Sequence, residues 1–186
     1  DIENRLYKNQ KGAVVLIGLS NFKRVNDDYG YSYGDKVLYC IAHKILEGGV
    51  SHARLYRMDG SDFALLIDNG TREDVIKEIE RIKQAFEDLY IEQKLVHVDF
   101  KAGAVLFPQD GKYIDQLMSN MTIAVENAKN SGMTDVVFFT EEMHLKKTRI
   151  LRLKDAIREC VNDSCRDFHI VMQPIMDAHS GECQSC

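Results

Sequence analysis

Two carboxylates stand close together in the stretch RLYRMDGSDFALLI (54–67): Asp59 and Asp62, separated by Gly60 and Ser61. Carboxylates grouped at a chain reversal are the ligand type that a hard divalent cation takes. Asp-Gly between two alternating apolar runs is also the strongest short-range signal for a β-hairpin. The residues alone leave three readings open: a catalytic loop, a former catalytic loop, and a turn with no chemistry.

Other chemistry-bearing side chains are scattered. Cys160, Cys165, Cys183 and Cys186 have a spacing that invites a zinc site. Cys160 falls on the apolar side of a helical pattern and Cys186 is the final residue, which favours reduced thiols over a metal cage. His43 lies in an amphipathic pattern and His52 in a loop pattern, with no second ligand at metal spacing. Ser20, Ser61 and Ser119 lack the surroundings of a nucleophile. A P-loop, a dinucleotide fingerprint and a zincin motif are all absent.

These side chains must be positioned by a chain of 186 residues, 45% hydrophobic and 28% charged. That composition supports one good core, or one domain and part of another. A net charge of −5 argues against a nucleic-acid footprint across the chain. No apolar run is long enough to span a bilayer, and Asp1 does not open a signal-peptide pattern. Only two prolines occur, so no proline-rich linker divides the chain.

AVVLIGL (13–19) is a continuous apolar run of strand length and predicts a strand buried on both faces. Residues 20–33 are polar and read as a short helix and loop. From Gly34, the positions Val37, Leu38, Ile41, Ala42, Ile45 and Leu46 share one helical face, ended by Gly48-Gly49. The hairpin 54–67 follows. Val75, Ile76, Ile79, Ile82, Phe86 and Leu89 then recur at helical spacing, with Thr71 and Asp74 as the N-terminal cap. The charges of 72–94 read as a solvated face with i,i+4 pairing. Residues 96–107 alternate as a strand, Pro108 to Gly111 turn, 113–130 form an amphipathic helix, and 135–139 form a strand.

The order predicts an α+β fold over 1–140: a ferredoxin-like or palm-type βαββαβ core with a central, mainly antiparallel sheet and helices on one face. Residues 141–167 are expected to link it onward through a helix at 141–163 whose stripe is Met143, Ile150, Leu153, Ile157 and Cys160. FHIVMQPIM (168–176) is expected to be a strand without a following partner, the first strand of a truncated second domain over 168–186.

Four stretches, SNFKRVNDDYGYSYGD, RMDGSDF, KAGAVLFPQDG and AKNSG, fall in an order and spacing that resembles the GGDEF family of diguanylate cyclases, which condense two GTP into cyclic di-GMP. The tail FHIVMQPIMDAHSGE resembles the opening of an EAL domain, the cyclic di-GMP phosphodiesterase family, mainly at Gln173-Pro174-Ile175 and Ser180-Gly181. The resemblance implies bacterial signal transduction in the cytoplasm, with any sensor or membrane segment upstream. It also implies guanine nucleotide, an EAL domain in the same chain and a homodimer as partners.

In that family, carboxylates at the end of the first strand and in the hairpin hold magnesium, which neutralises charge on the phosphates. This sequence departs from the pattern at each of those positions. The strand positions are Gly18 and Ser20, and the hairpin reads Asp59-Gly60-Ser61-Asp62. These six residues are vestigial catalytic positions, none forming an intact catalytic set. Asp62 is the one metal ligand left, and a carboxylate at Asp59 would repel a triphosphate that lacks a counter-ion. The resemblance makes no cofactor certain; the candidate it offers is magnesium arriving with GTP.

The base contacts are present, while the phosphate and metal contacts are mostly gone. Asn26 and Asp35 match the family's guanine-binding Asn and Asp, and Lys129 matches a lysine on the phosphates, while an Arg beyond it is replaced by Met133. The local alternative for Asn26 is a turn cap, and for Asp35 a place in the first turn of the next helix. The Arg-x-x-Asp of the product-inhibition site reads Arg54-Leu55-Tyr56-Arg57; the two arginines read as a solvated strand edge or as partners for nearby carboxylates. The expectation is a non-catalytic regulatory domain that binds guanine nucleotide and acts on an adjoining EAL domain. The alternatives are a residual cyclase and a dimerisation scaffold without nucleotide.

Overall fold

The run AVVLIGL does become the central strand. In the computed structural model, which describes residues 2–8, 10–47, 53–87, 89–132, 135–162, 171, 173–177, 180 and 183–185, strand β1 (Gly12–Ser20) follows a short helix α1 (Ile2–Tyr7). Branched and apolar side chains on both faces of β1 leave it no solvent side, so both of its faces have to be covered. Helices α2 (Phe22–Tyr29) and α3 (Tyr31–Leu46) come next, then β2 (Ala53–Arg57), β3 (Asp62–Asp68) and α4 (Arg72–Glu87). A two-residue hairpin, β4 (Tyr90–Ile91) and β5 (Lys94–Leu95), leads to β6 (Asp99–Phe107), α5 (Ile114–Ser131), β7 (Val136–Phe138) and α6 (Glu141–Asn162). Strands β8 (Ile175–Met176) and β9 (Cys183–Ser185) close the chain.

The sheet order is β2-β3-β1-β6-β7. β1 pairs antiparallel with β3 and β6, β2 pairs antiparallel with β3, and β6 runs parallel to β7. The α+β palm-type fold with a mainly antiparallel sheet is therefore present. The helices are not confined to one face, as the sequence suggested. Ala13, Val15, Ile17 and Leu19 face a core built with α3 and α4. Val14 and Leu16 face a second core built with α5. Alternation along one strand sends successive side chains to opposite faces, so the two cores are the two sides of β1. Ile17 is fully buried, and burial of such a side chain contributes about 1.5–3 kcal/mol. Helix α5 comes down close on β6 at Gly103, where a Cβ would lie 2.2 Å from the backbone nitrogen of Val125.

Several local expectations change. α3 begins at Tyr31, not Gly34. Strand β6 starts at Asp99, so Val96 and Val98 precede it. Glu78 belongs to no solvated face: it is 3% exposed and paired with Arg81 at 2.6 Å, three residues on. Arg81 also donates to the carbonyls of Lys44, Ile45 and Glu47, the orphan acceptors at the end of α3. One buried ion pair thus closes the α3 terminus against α4. The cap of α4 is as expected: Thr71 Oγ1 donates to Asp74 at 2.8 Å, and the Asp74 N–H returns to Thr71 Oγ1 at 3.3 Å.

The chain divides into two compact units, Asp1–Lys146 and Lys147–Cys186. On α6, Met143 packs against the α5 core, while Ile150, Leu153 and Ile157 are 43%, 53% and 50% exposed. The expected strand 168–176 is reduced to β8 among the described residues, and β8 does have a partner: Ile175 pairs with Ser185 and Met176 with Cys183. Gly48, Gly49, His52, Met133, Cys165, Gly181 and Cys186 lie outside the described residues. No described helix is long and apolar enough to cross a membrane.

Candidate functional site

The register of β1 places the candidate residues. Gly18 is cross-strand neighbour to Asp62 on one side and Lys101 on the other, and Ser20 ends the strand opposite Asp99. Beyond Ser20 the chain turns at Asn21, which has a left-handed φ of 59°, and buries Phe22 as the anchor of α2. α2 is only eight residues long and ends at Gly30 with φ 82°. That reversal folds α3 back beside α2. Gly34 is what allows the two to touch: a Cβ there would lie 1.9 Å from Asn26 Oδ1. The amide of Asn26 therefore rests on the first turn of α3, one residue before Asp35.

The local alternatives for these two residues do not hold. The N–H of Gly30 goes to the backbone carbonyl of Asn26 at 2.8 Å, and no side-chain cap is made. Asp35 is the fifth residue of α3, and no acidic residue sits in its first turn. Asn26 and Asp35 instead line a cleft of about 350 Å³ together with Tyr31, Arg57, Gly60 and Ser61. The hairpin turn closes through Met58 N–H to the Asp62 carbonyl at 2.9 Å, with Gly60 at φ 66°. Asp59 stands exposed at that turn. Arg57 reaches across the cleft: its Nη2 lies 3.4 Å from the Gly60 carbonyl and 3.8 Å from Asp35 Oδ1. The sequence had allowed it as a partner for a nearby carboxylate, and that carboxylate is Asp35.

A second group sits on the α5 side of the same strand end. Lys129, in the last turn of α5, sends its ammonium over Gly18. A Cβ built on Gly18 would lie 2.8 Å from Lys129 Nζ and 3.4 Å from Asp62 Oδ1. The space that a side chain at position 18 would fill is thus shared by one cation and one carboxylate. Of the expected positions, Asn26, Asp35, Gly60 and Ser61 come together in the cleft, and Gly18, Asp62 and Lys129 in this second cluster. Ser20 and Asp59 take part in neither. A larger cavity of about 570 Å³ lies at the opposite end of β1, against Leu6, Phe107 and Pro108, and holds none of these residues.

Magnesium needs several hard oxygen ligands in near-octahedral array. Among the described residues no group of three or more His, Cys, Asp or Glu side chains is placed to hold a metal. The side chains over Gly18 offer a magnesium ion one carboxylate, Asp62, beside the ammonium of Lys129.

Residues 1–135 match the family model described as diguanylate cyclase, GGDEF domain. The chain belongs to the GGDEF family. Its relatives include the cyclic di-GMP phosphodiesterase NbdA of Pseudomonas aeruginosa, 25% identical over 97% of this chain and 23% of that protein. They also include the bifunctional diguanylate cyclase/cyclic di-GMP phosphodiesterase MucR of the same organism, 29% identical over 97% and 26%. This GGDEF chain thus spans about a quarter of the length of these relatives. Among solved structures, the active GGEEF domain of a diguanylate cyclase from Vibrio cholerae superposes with a TM-score of 0.65 at 24% identity, covering 75% of this chain and 89% of that one. The GGDEF domain of YfiN (TpbB) from Pseudomonas aeruginosa gives 0.66 at 22%, covering 75% and 93%. At these identities the structural likeness establishes the GGDEF fold.

Proposed function

We propose that this GGDEF domain has lost cyclic di-GMP synthesis, keeps a guanine-nucleotide cleft, and serves as a regulatory part of a longer cyclic di-GMP signalling protein. The observation that carries the reading is the ammonium of Lys129 over Gly18, beside the single carboxylate of Asp62. Joining two GTP molecules develops negative charge on phosphate oxygens, which divalent ions held by several carboxylates neutralise. Here one lysine and one aspartate stand in that space. A lysine is a monovalent point charge with three donors. It can hold phosphate without activating it as two metal charges would.

The base end of the site supports binding. Asn26 and Asp35 line one cleft, on a helix pair whose approach depends on Gly34. An amide and a carboxylate together match the mixed donors and acceptors of a guanine edge. The domain bounds proposed are 1–140 for this module, 141–167 for the linking helix and 168–186 for the start of an EAL domain. The tail sequence supports the last of these, as do the relatives NbdA and MucR, which match along nearly the whole chain. The scaffold reading has one observation of its own, the exposed Ile150, Leu153 and Ile157 of α6.

Incubating the chain with GTP and magnesium and assaying for cyclic di-GMP by mass spectrometry tests the loss of synthesis. The expected result is no product above a no-enzyme control. Magnesium-dependent product removed by Asp62→Ala would overturn the reading in favour of a residual cyclase.

A further inference from the structure

This inference deepens the reading of the cleft as a guanine site and rests on it. Arg57 closes strand β2 opposite Phe63, and its guanidinium crosses from the hairpin turn to the second turn of α3. Both Arg57 and Asp35 remain largely exposed, with side chains 55% and 73% accessible. At 3.8 Å their contact is longer than a hydrogen bond. The two groups are therefore neighbours across the cleft mouth, loosely held, with their polar atoms open to a ligand.

Guanine presents two kinds of atom side by side. N1–H and N2–H₂ are donors, and O6 and N7 are acceptors. A carboxylate takes the donors and cannot satisfy the acceptors, because an ionised Asp has no proton to give. An arginine fork on O6 and N7 is the commonest specific contact to this base. Asp35 and Arg57 offer one acceptor group and one donor fork at adjacent positions of one cleft. Adenine presents the opposite sense: an N6–H₂ donor where guanine has O6, and an N1 acceptor where guanine has N1–H. Nη2 faces Gly60 and Asp35, and Nη1 and Nε carry further N–H donors in the same plane.

We propose that Arg57 is a specificity-determining residue of this cleft: it donates to O6 and N7 of a guanine whose N1–H and N2–H₂ are held by Asp35. Its charge also offsets that of Asp35 for a polyphosphate approaching the cleft.

The test is calorimetric titration of the 186-residue chain with GTP, ATP and 7-deaza-GTP, which carries C–H in place of N7. Wild type, Arg57→Ala and Asp35→Ala are compared, with ligand-free melting used to confirm that each folds. The expected wild-type order is GTP, then 7-deaza-GTP weaker by about fivefold or more, then ATP. Arg57→Ala should weaken GTP and make GTP and 7-deaza-GTP equal. Asp35→Ala should weaken both while keeping a difference between them. Unchanged or tighter GTP binding by Arg57→Ala, or a persisting 7-deaza difference in that variant, would overturn the role of Arg57. Failure of wild type to bind GTP at all would overturn the guanine reading beneath it, a result separable from the first because Arg57 would not enter into it.

Discussion

The ammonium of Lys129 stands 2.8 Å from where a Cβ on Gly18 would lie. That one relationship joins the last turn of α5 to the end of the central strand. It means that a glycine at position 18 makes room for a cation rather than merely lacking a carboxylate. The nearest atoms over Gly18 are the far end of a flexible side chain, which moves at little cost.

Gly18→Asp should accordingly fold. The new carboxylate would displace Lys129 slightly and pair with it, and the partly exposed pair would change stability by less than about 1 kcal/mol. Cyclic di-GMP synthesis should not return, because Ser20 and Ser61 still supply no charge. Chemical denaturation and a product assay check the two halves. A variant that makes cyclic di-GMP would show that one carboxylate was all that synthesis lacked.

The buried pair of Glu78 and Arg81 predicts a large stability effect away from the site. Arg81 serves an almost fully buried carboxylate and the terminal carbonyls of α3 at once. Arg81→Ala strands all of them and should cost about 3 kcal/mol in urea unfolding. Replacing exposed Arg24, whose contact with Asp28 is a surface i,i+4 pair, should cost no more than about 0.5 kcal/mol.

Asp135 gives a pH prediction. The hydrogen bond from Lys83, and then that from Lys101, hold its carboxyl below the ordinary range against the opposing effect of burial. A folded-state pKa below the unfolded value contributes stability above the unfolded value, near 3.9. That stability is lost as pH falls through the folded pKa. The urea midpoint of wild type should therefore drop between pH 6 and pH 3 by more than that of Asp135→Asn. An equal drop in both proteins would contradict the pairing.

The sequence made the long elements legible because each repeats one period many times. Val75, Ile79, Ile82 and Phe86 mark α4, and AVVLIGL marks the central strand. The start of α3 was hidden because Gly34 is a poor helix former; its function, admitting Asn26 Oδ1, is a contact between helices. Strands of two residues, such as β4 and β5, are too short to show any period. Glu78 escaped because charged residues are almost never fully buried unless paired, and its partner Arg81 gave no sign of facing α3 instead of water. The candidate site divides in the same way. Asn26, Asp35 and Lys129 are visible as residue types in familiar order. That Lys129 lies over Gly18, and that Arg57 stands beside Asp35, are juxtapositions of helix and strand that no local spacing encodes.

The central claim is nucleotide binding without metal. It is tested most directly by thermal unfolding of the chain with and without GTP, first in magnesium and then in EDTA, for wild type, Asp35→Ala and Asp62→Ala. A ligand at a hundred times its dissociation constant stabilises the folded state by about 2.7 kcal/mol, a readily measured shift in Tm. The account predicts a shift with GTP that survives EDTA, shrinks strongly in Asp35→Ala and barely changes in Asp62→Ala. A shift that needs magnesium and is lost equally in both variants would contradict it.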